Sequence, residues 1–150
     1  GGRVDSARVS VPKFGRSEAS SAGWAVKGYE KRQKDAIIIE NLRAAAKLPK
    51  AAVIHLEPTK INADTLTFDD AHINAEREHR VSEEQAKQYI RDAKISVSVW
   101  NGQFERYYGT EGAAYVNTIK HEIRTAYSRA EFDENTIALI EEMKKNGILG

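Results

Sequence analysis

The stretch KISVSVWNGQFERYYGTEGAAYVNTIKHEIRTAYS, residues 94–128, decides the fold. Ile95, Val97 and Val99 alternate with Ser96, Ser98 and Trp100, the period-two pattern of a half-buried strand. Asn101-Gly102 follows. Both central residues of a type I′ turn need positive φ, which Asn tolerates and Gly adopts freely, so this pair predicts a hairpin. Phe104–Tyr108 is the return strand, Gly109–Gly112 a second turn, Ala113–Val116 a third strand and Glu122–Tyr127 a fourth. Four short strands joined in order predict an antiparallel meander.

A two-residue turn also sets register. Val99 should face Phe104, Val97 should face Arg106 and Ile95 should face Tyr108, all on one side, where Arg106 is the one awkward core member. Ser96, Ser98, Trp100, Glu105 and Tyr107 fall on the other side. That mixture of hydroxyls, aromatics and charge suits either a ligand-binding face or a plain solvated one.

Outward from the meander, residues 82–93 read as a helix. Ser82 and Gln85 form a capping box, and Ala86, Tyr89, Ile90 and Ala93 make an apolar stripe. On the far side, Glu131–Lys145 reads as an amphipathic helix with Ile137, Ile140 and Met143 inward, ended by Gly147. Upstream, 18–48 is helical in pattern until Pro49, as one long helix or two shorter ones, and is expected to pack on the sheet. Ala51–Leu56 is a short apolar run, a strand or an irregular tie, and Leu66–Phe68 a short strand. Residues 1–17 are polar and basic and read as a linker or arm, leaving 18–150 as a single domain. Helices followed by an antiparallel sheet and a C-terminal helix define an α+β fold.

Composition narrows the classes. The 150 residues suffice for one domain with its own core. The chain has no cysteine, which excludes disulfides, thiolate metal sites and a cysteine nucleophile. No apolar run approaches the roughly 18–20 residues of a membrane span, and no stretch reads as a signal peptide. The net charge of +1 is uneven: +6 over residues 1–50, −3 over 51–100 and −2 over 101–150. A basic first third can attract a polyanion, but the whole is not basic enough for a sequence-reading DNA binder.

Two clusters carry chemistry. HINAEREHR, residues 72–80, holds His72 and His79 with Arg77 and Arg80. Two histidines move protons in both directions near neutral pH, and arginines suit a developing phosphate charge. If the segment were helical, the histidines would share a face but lie about 10 Å apart along the axis, too far for one phosphate unless the segment bends. In that helix His72, Glu76 and His79 would have metal-ligand spacing; alternatively they are exposed polar residues that introduce the next helix. The second cluster is IRTAYS, residues 123–128. Strand alternation puts Ile123, Thr125 and Tyr127 on one face and Arg124 with Ala126 on the other. Arg124 can hold phosphate, and Thr125 or Tyr127 can donate to a non-bridging oxygen; a structural strand with one surface arginine is the plainer alternative. Trp100, Tyr107 and Tyr115 are candidates to stack on bases, with Arg80 as a further substrate contact. His55 and His121 have no partner in sequence.

With both clusters in view, FDDAHINAEREHRVSEEQAKQYI, ISVSVWNGQFERYYGTEGAAYV and IRTAYSRAEFDE together resemble a C-terminal domain of phage minor head proteins and related bacterial toxins. That group is similar to the barnase–EndoU–colicin–RelE type of ribonuclease. The resemblance implies N-terminal helices before a four-stranded antiparallel sheet, and an endoribonuclease that cleaves RNA by attack of its own 2′-hydroxyl, without metal or other cofactor. It implies catalytic roles for His72, Arg77, His79, Arg124, Thr125 and Tyr127. Its implied partners are RNA, tRNA included, and a cognate immunity protein, with no membrane. The domain would belong to a longer phage-borne or secreted toxin acting in the cytoplasm of a target cell. ADP-ribosyl transfer from NAD, with Ser96 and Ser98 as its Ser-x-Ser element, is the rival enzyme class. A non-catalytic phage head or interaction module is the rival outside enzymology.

Overall fold

A computed structural model describes residues 16–149, with side chains from residue 26 onward. The arm expected at 1–17 therefore lies almost wholly outside the described residues. The chain divides into two units, 1–36 and 37–150. Helix α1, Arg16–Ala45, runs through the division as one continuous helix. In the first unit Val26 and Tyr29 are exposed, so the apolar spacing at those two positions does not mark a buried stripe.

The second unit holds everything else: β1 (Val53–His55), β2 (Thr67–Phe68), a π-helical turn (Ala71–Glu76), α2 (Glu83–Arg91), β3 (Ile95–Val99), β4 (Phe104–Tyr108), β5 (Gly112–Asn117), β6 (Glu122–Ser128) and α3 (Glu134–Lys145). The fold is α+β, but the sheet has six strands where four were expected. Its order is β1-β3-β4-β5-β6-β2. Strands β3 to β6 pair antiparallel in sequence order, β1 adds antiparallel beside β3, and β2 adds parallel beside β6, which makes the sheet mixed. β1 and β2 fall inside the runs 51–56 and 66–68, but three and two residues are too few to show a period that would tell where they join the sheet.

The β3–β4 register is Val99 to Phe104, Val97 to Arg106 and Ile95 to Tyr108. Asn101 and Gly102 take φ of 56° and 83°, as the turn requires. Trp100 joins them at φ 53°, a conformation bulky side chains rarely adopt.

Both faces of the sheet are covered. One packs Ile95, Val97, Val99 and Ala113 against Ile38, Ile39 and Leu42 of α1 and Leu139, Ile140 and Met143 of α3. Ile137, expected inward, is 51% exposed, and Leu139 takes the buried place. The other face packs Tyr107, Ala114, Val116 and Ile123 against Ile73, Val81, Ala86 and Ile90. At ~1.5–3 kcal/mol for each fully buried large aliphatic side chain, these two layers dominate the stabilisation of this unit.

The second face is therefore neither an open ligand surface nor a solvated one. Ser96 is fully buried and its Oγ accepts from the Thr59 amide. Tyr107, 2% exposed, donates its hydroxyl to the Thr59 carbonyl. Ser98 bonds to Glu105, and His55 Nε2 lies 3.1 Å from Ser98 Oγ, so His55 has partners that its sequence position did not reveal. Thr59, in the segment 56–61, closes over this polar row and partners Ser96 and Tyr107, while the buried Glu105 Oε2 has no hydrogen-bond partner among the described residues and lies 3.9 Å from His55 Nε2.

Two local devices fix the start of α2 and its approach to the sheet. The capping box of α2 forms as expected: Ser82 Oγ accepts from the Gln85 amide, and Gln85 Oε1 accepts from the Ser82 amide. Gly112 sits under α2, where any Cβ would run into the Tyr89 ring.

Candidate active site

The histidine segment does not continue as a helix. Ala71–Glu76 makes one π-type turn, closed by the Arg77 amide donating to the His72 carbonyl. Such turns are rare and concentrate at functional sites. Glu78 and Arg80 then take φ of 56° and 59°, reversing the chain on both sides of His79. The Asn74 side chain holds the reversal: Nδ2 donates to the Val81 carbonyl at 2.8 Å, and Oδ1 accepts from the Val81 amide at 2.9 Å. The bend places His72 and His79 on the wall of one cleft, which a straight helix would not achieve.

Strand β6 supplies the other wall, and here simple alternation fails. Tyr115 pairs with Thr125 but Val116 pairs with Ile123, so Arg124 is the extra residue of a β-bulge. The bulge turns Ile123 to the α2 side, where it is fully buried, and leaves Arg124 on the same cleft as Thr125 and Tyr127. Re-aiming a side chain beside a site is what bulges do.

The resulting cleft has a volume of about 340 Å³. His72, Arg77, His79, Arg124, Thr125 and Tyr127 all line it. Tyr115 joins them, together with Glu131 and Asp133, which the sequence reading missed. Three other candidates lie elsewhere. Tyr107 is buried beneath the opposite face, where it cannot meet a base; Trp100 is on the hairpin turn; Arg80 does not line the cleft.

Each histidine leans on a glutamate. His72 Nδ1 is 3.1 Å from Glu76 Oε1, and His79 Nδ1 is 2.9 Å from Glu131 Oε1. A carboxylate can only accept, so each Nδ1 carries the proton and each Nε2 is left for chemistry. The His72–Glu76–His79 metal set does not assemble, because His79 turns to Glu131. Among the described residues no group of three His, Asp or Glu side chains is placed to hold a metal.

Arg124 is steadied by Asp69, with Nη1 to Oδ2 at 2.5 Å. The His72 amide donates to Asp69 Oδ1, and this bond, with Arg124, holds the Asp69 carboxyl below its ordinary value. Asp69 thus ties the π turn to the bulge, the two elements that make the cleft.

The floor is a tyrosine relay. Tyr108 and Tyr115 hydroxyls lie 3.2 Å apart, and Tyr115 and Tyr127 hydroxyls 2.6 Å apart. Burial pushes Tyr127 up to about 12 and Tyr115 higher still, so both stay protonated as donors near neutral pH. Arg106, the awkward core member, places its guanidinium 4.9 Å over the Tyr115 ring, a cation–π contact. Comparison with protein-family models, curated proteins and solved structures returns no match.

The arrangement offers two imidazoles with free Nε2 atoms, two guanidinium groups and neutral hydroxyl donors around one hollow. His121, by contrast, bonds to Thr65 Oγ1 at 2.6 Å and does not line the cleft. Ser96 and Ser98, the Ser-x-Ser pair, are likewise absent from its lining.

Proposed function

We propose that this protein is a metal-independent endoribonuclease, with a fold of the barnase–EndoU–colicin–RelE type in which a β3–β6 meander carries two added edge strands. The observation that carries the proposal is the pair of glutamate-oriented histidines, His72 and His79, on one cleft with Arg77 and Arg124.

In this reaction one histidine, neutral at Nε2, takes the proton from a ribose 2′-hydroxyl. The 2′-oxygen attacks the adjacent phosphorus, and the bond from phosphorus to the 5′-oxygen breaks. The other histidine, protonated, gives its proton to that 5′-oxygen. The products are a 2′,3′-cyclic phosphate and a free 5′-hydroxyl. Arg77 and Arg124 hold the non-bridging oxygens as charge builds, with Thr125 and Tyr127 as neutral donors. The chemistry calls on no metal or cofactor, and DNA is refused because it lacks the nucleophile.

RNA, tRNA among its forms, is the proposed substrate. A toxin or phage-borne effector delivered to the cytoplasm of a target cell, held in check by an immunity protein, is the setting in which such an activity makes sense.

The test is incubation of the protein with total tRNA and rRNA in EDTA, beside His72→Ala and His79→Ala. Discrete cleavage with cyclic phosphate ends, lost by about 10²–10⁴-fold in either variant with circular dichroism unchanged, is the expected result. Intact RNA at high enzyme concentration sinks the proposal.

A further inference from the structure

Beside the histidine cleft lies a second depression of about 370 Å³, lined by Val99, Trp100, Phe104, Arg106, Tyr115 and Arg124. Tyr115 and Arg124 line both hollows, so the two are neighbours that share these side chains.

We propose that this depression is a nucleobase subsite, in which single-stranded RNA extending from the cleft stacks a base on Trp100. Trp100 is 69% exposed, the largest aromatic surface on the hairpin. A large indole left in water at a strained φ of 53° is a costly arrangement that packing alone does not explain. Phe104 stands against it edge to face, with ring centroids 5.3 Å apart, which fixes the orientation of the indole without covering it.

Charge decides the class of occupant. Arg106 and Arg124 both reach this hollow; Arg124 is also paired with Asp69, but no carboxylate is among the hollow's described lining. The histidine cleft, in contrast, includes Glu131 and Asp133. An apolar platform flanked by two guanidinium groups suits a base with its neighbouring phosphate, since every base has a π-face and every link a negative charge. Arg106 is held in place by the Tyr115 ring beneath it. Stacking also needs an unpaired base, because a duplex hides its faces; the substrate would be read in single strands or loops. This inference rests on the ribonuclease reading for the direction in which the strand leaves the cleft.

The chain has two tryptophans, so Trp24→Phe makes Trp100 the sole indole fluorophore. The probe is a short single-stranded 2′-O-methyl oligoribonucleotide, which cannot be cleaved. Saturable quenching by the single strand but not by its duplex is expected, and fluorescence anisotropy of the end-labelled strand should show Trp100→Ala weakening binding by roughly 5- to 100-fold. Ile137→Ala, which removes an exposed side chain of α3, should leave binding as it was. Unquenched Trp100 in a protein that cleaves RNA overturns the subsite and spares the activity. Quenching in a protein that leaves RNA intact keeps the subsite and removes the ribonuclease. Quenching that follows protein concentration without RNA assigns the surface to self-association and overturns the proposal.

Discussion

His79 Nδ1 lies 2.9 Å from Glu131 Oε1, across 52 positions of sequence. Glu131 closes the 3₁₀ turn Arg129–Glu131 after β6, and His79 sits at a chain reversal before α2. In the ribonuclease mechanism Glu131 is a positioning residue: it selects the tautomer that exposes Nε2. Glu131→Gln removes the obligate acceptor and allows the ring to flip. Cleavage is expected to fall by about 10- to 100-fold, chiefly in kcat, with the melting temperature nearly unchanged because the pair is partly exposed. An unchanged kcat would remove Glu131 from the mechanism.

Arg124 owes its place to the bulge, and its grip to a planar fork. Arg124→Lys keeps the charge and loses the two-point hold on a phosphate. A drop of tenfold or more in kcat/KM is expected, with stability changed by under about 1 kcal/mol since the Asp69 pair is near the surface. Equal activity of the lysine variant would mean that Arg124 serves only as a general positive charge.

Asp133 caps α3, accepting from the Thr136 amide at 2.8 Å, and that bond holds its carboxyl below the ordinary value of 3.8. A depressed carboxyl stabilises the fold fully above 3.8. Below that, the unfolded chain takes up a proton that the folded one resists, so the contribution fades as pH falls through the lower folded value. Asp133→Ala should cost ~1 kcal/mol at neutral pH. The gap between the variant and the parent, followed by urea unfolding, should narrow below pH 3.8. A gap that widens on acidification contradicts the assignment.

Gly112 faces the Tyr89 ring with no room for a methyl group. Gly112→Ala is expected to destabilise by ~1–3 kcal/mol, measured by calorimetry. Tyr89→Ala in the same chain should make the added methyl nearly neutral, since the cost is steric and pairwise.

Much of the scaffold was legible. The alternation of Ile95, Val97 and Val99, the Asn101-Gly102 turn and the Ser82/Gln85 box are local signals, and local backbone preference is enough to set them. The β3–β4 register followed from the turn alone. Helix α3 was legible in extent but not in facing, because Ile137 and Leu139 differ only in what packs on them.

The six cleft residues singled out from sequence were chosen for chemistry, and their meeting in one cleft depended on shape. A helical reading kept His72 and His79 apart; two left-handed residues and the Asn74–Val81 stitch bring them to one cleft. Strict alternation put Arg124 opposite Thr125, and one extra residue opposite β5 reversed that. Tyr107 was misplaced for the converse reason: the loop that covers it carries no period to announce itself.

By itself the sequence determined the central strands, their turn, the helix caps and the stock of proton carriers and cations, since these depend on neighbours within a few residues. The tertiary structure decided which face is covered, where β1 and β2 attach, and that Glu131 meets His79. Those outcomes depend on contacts between segments far apart in the chain, where no periodicity links one partner to the other.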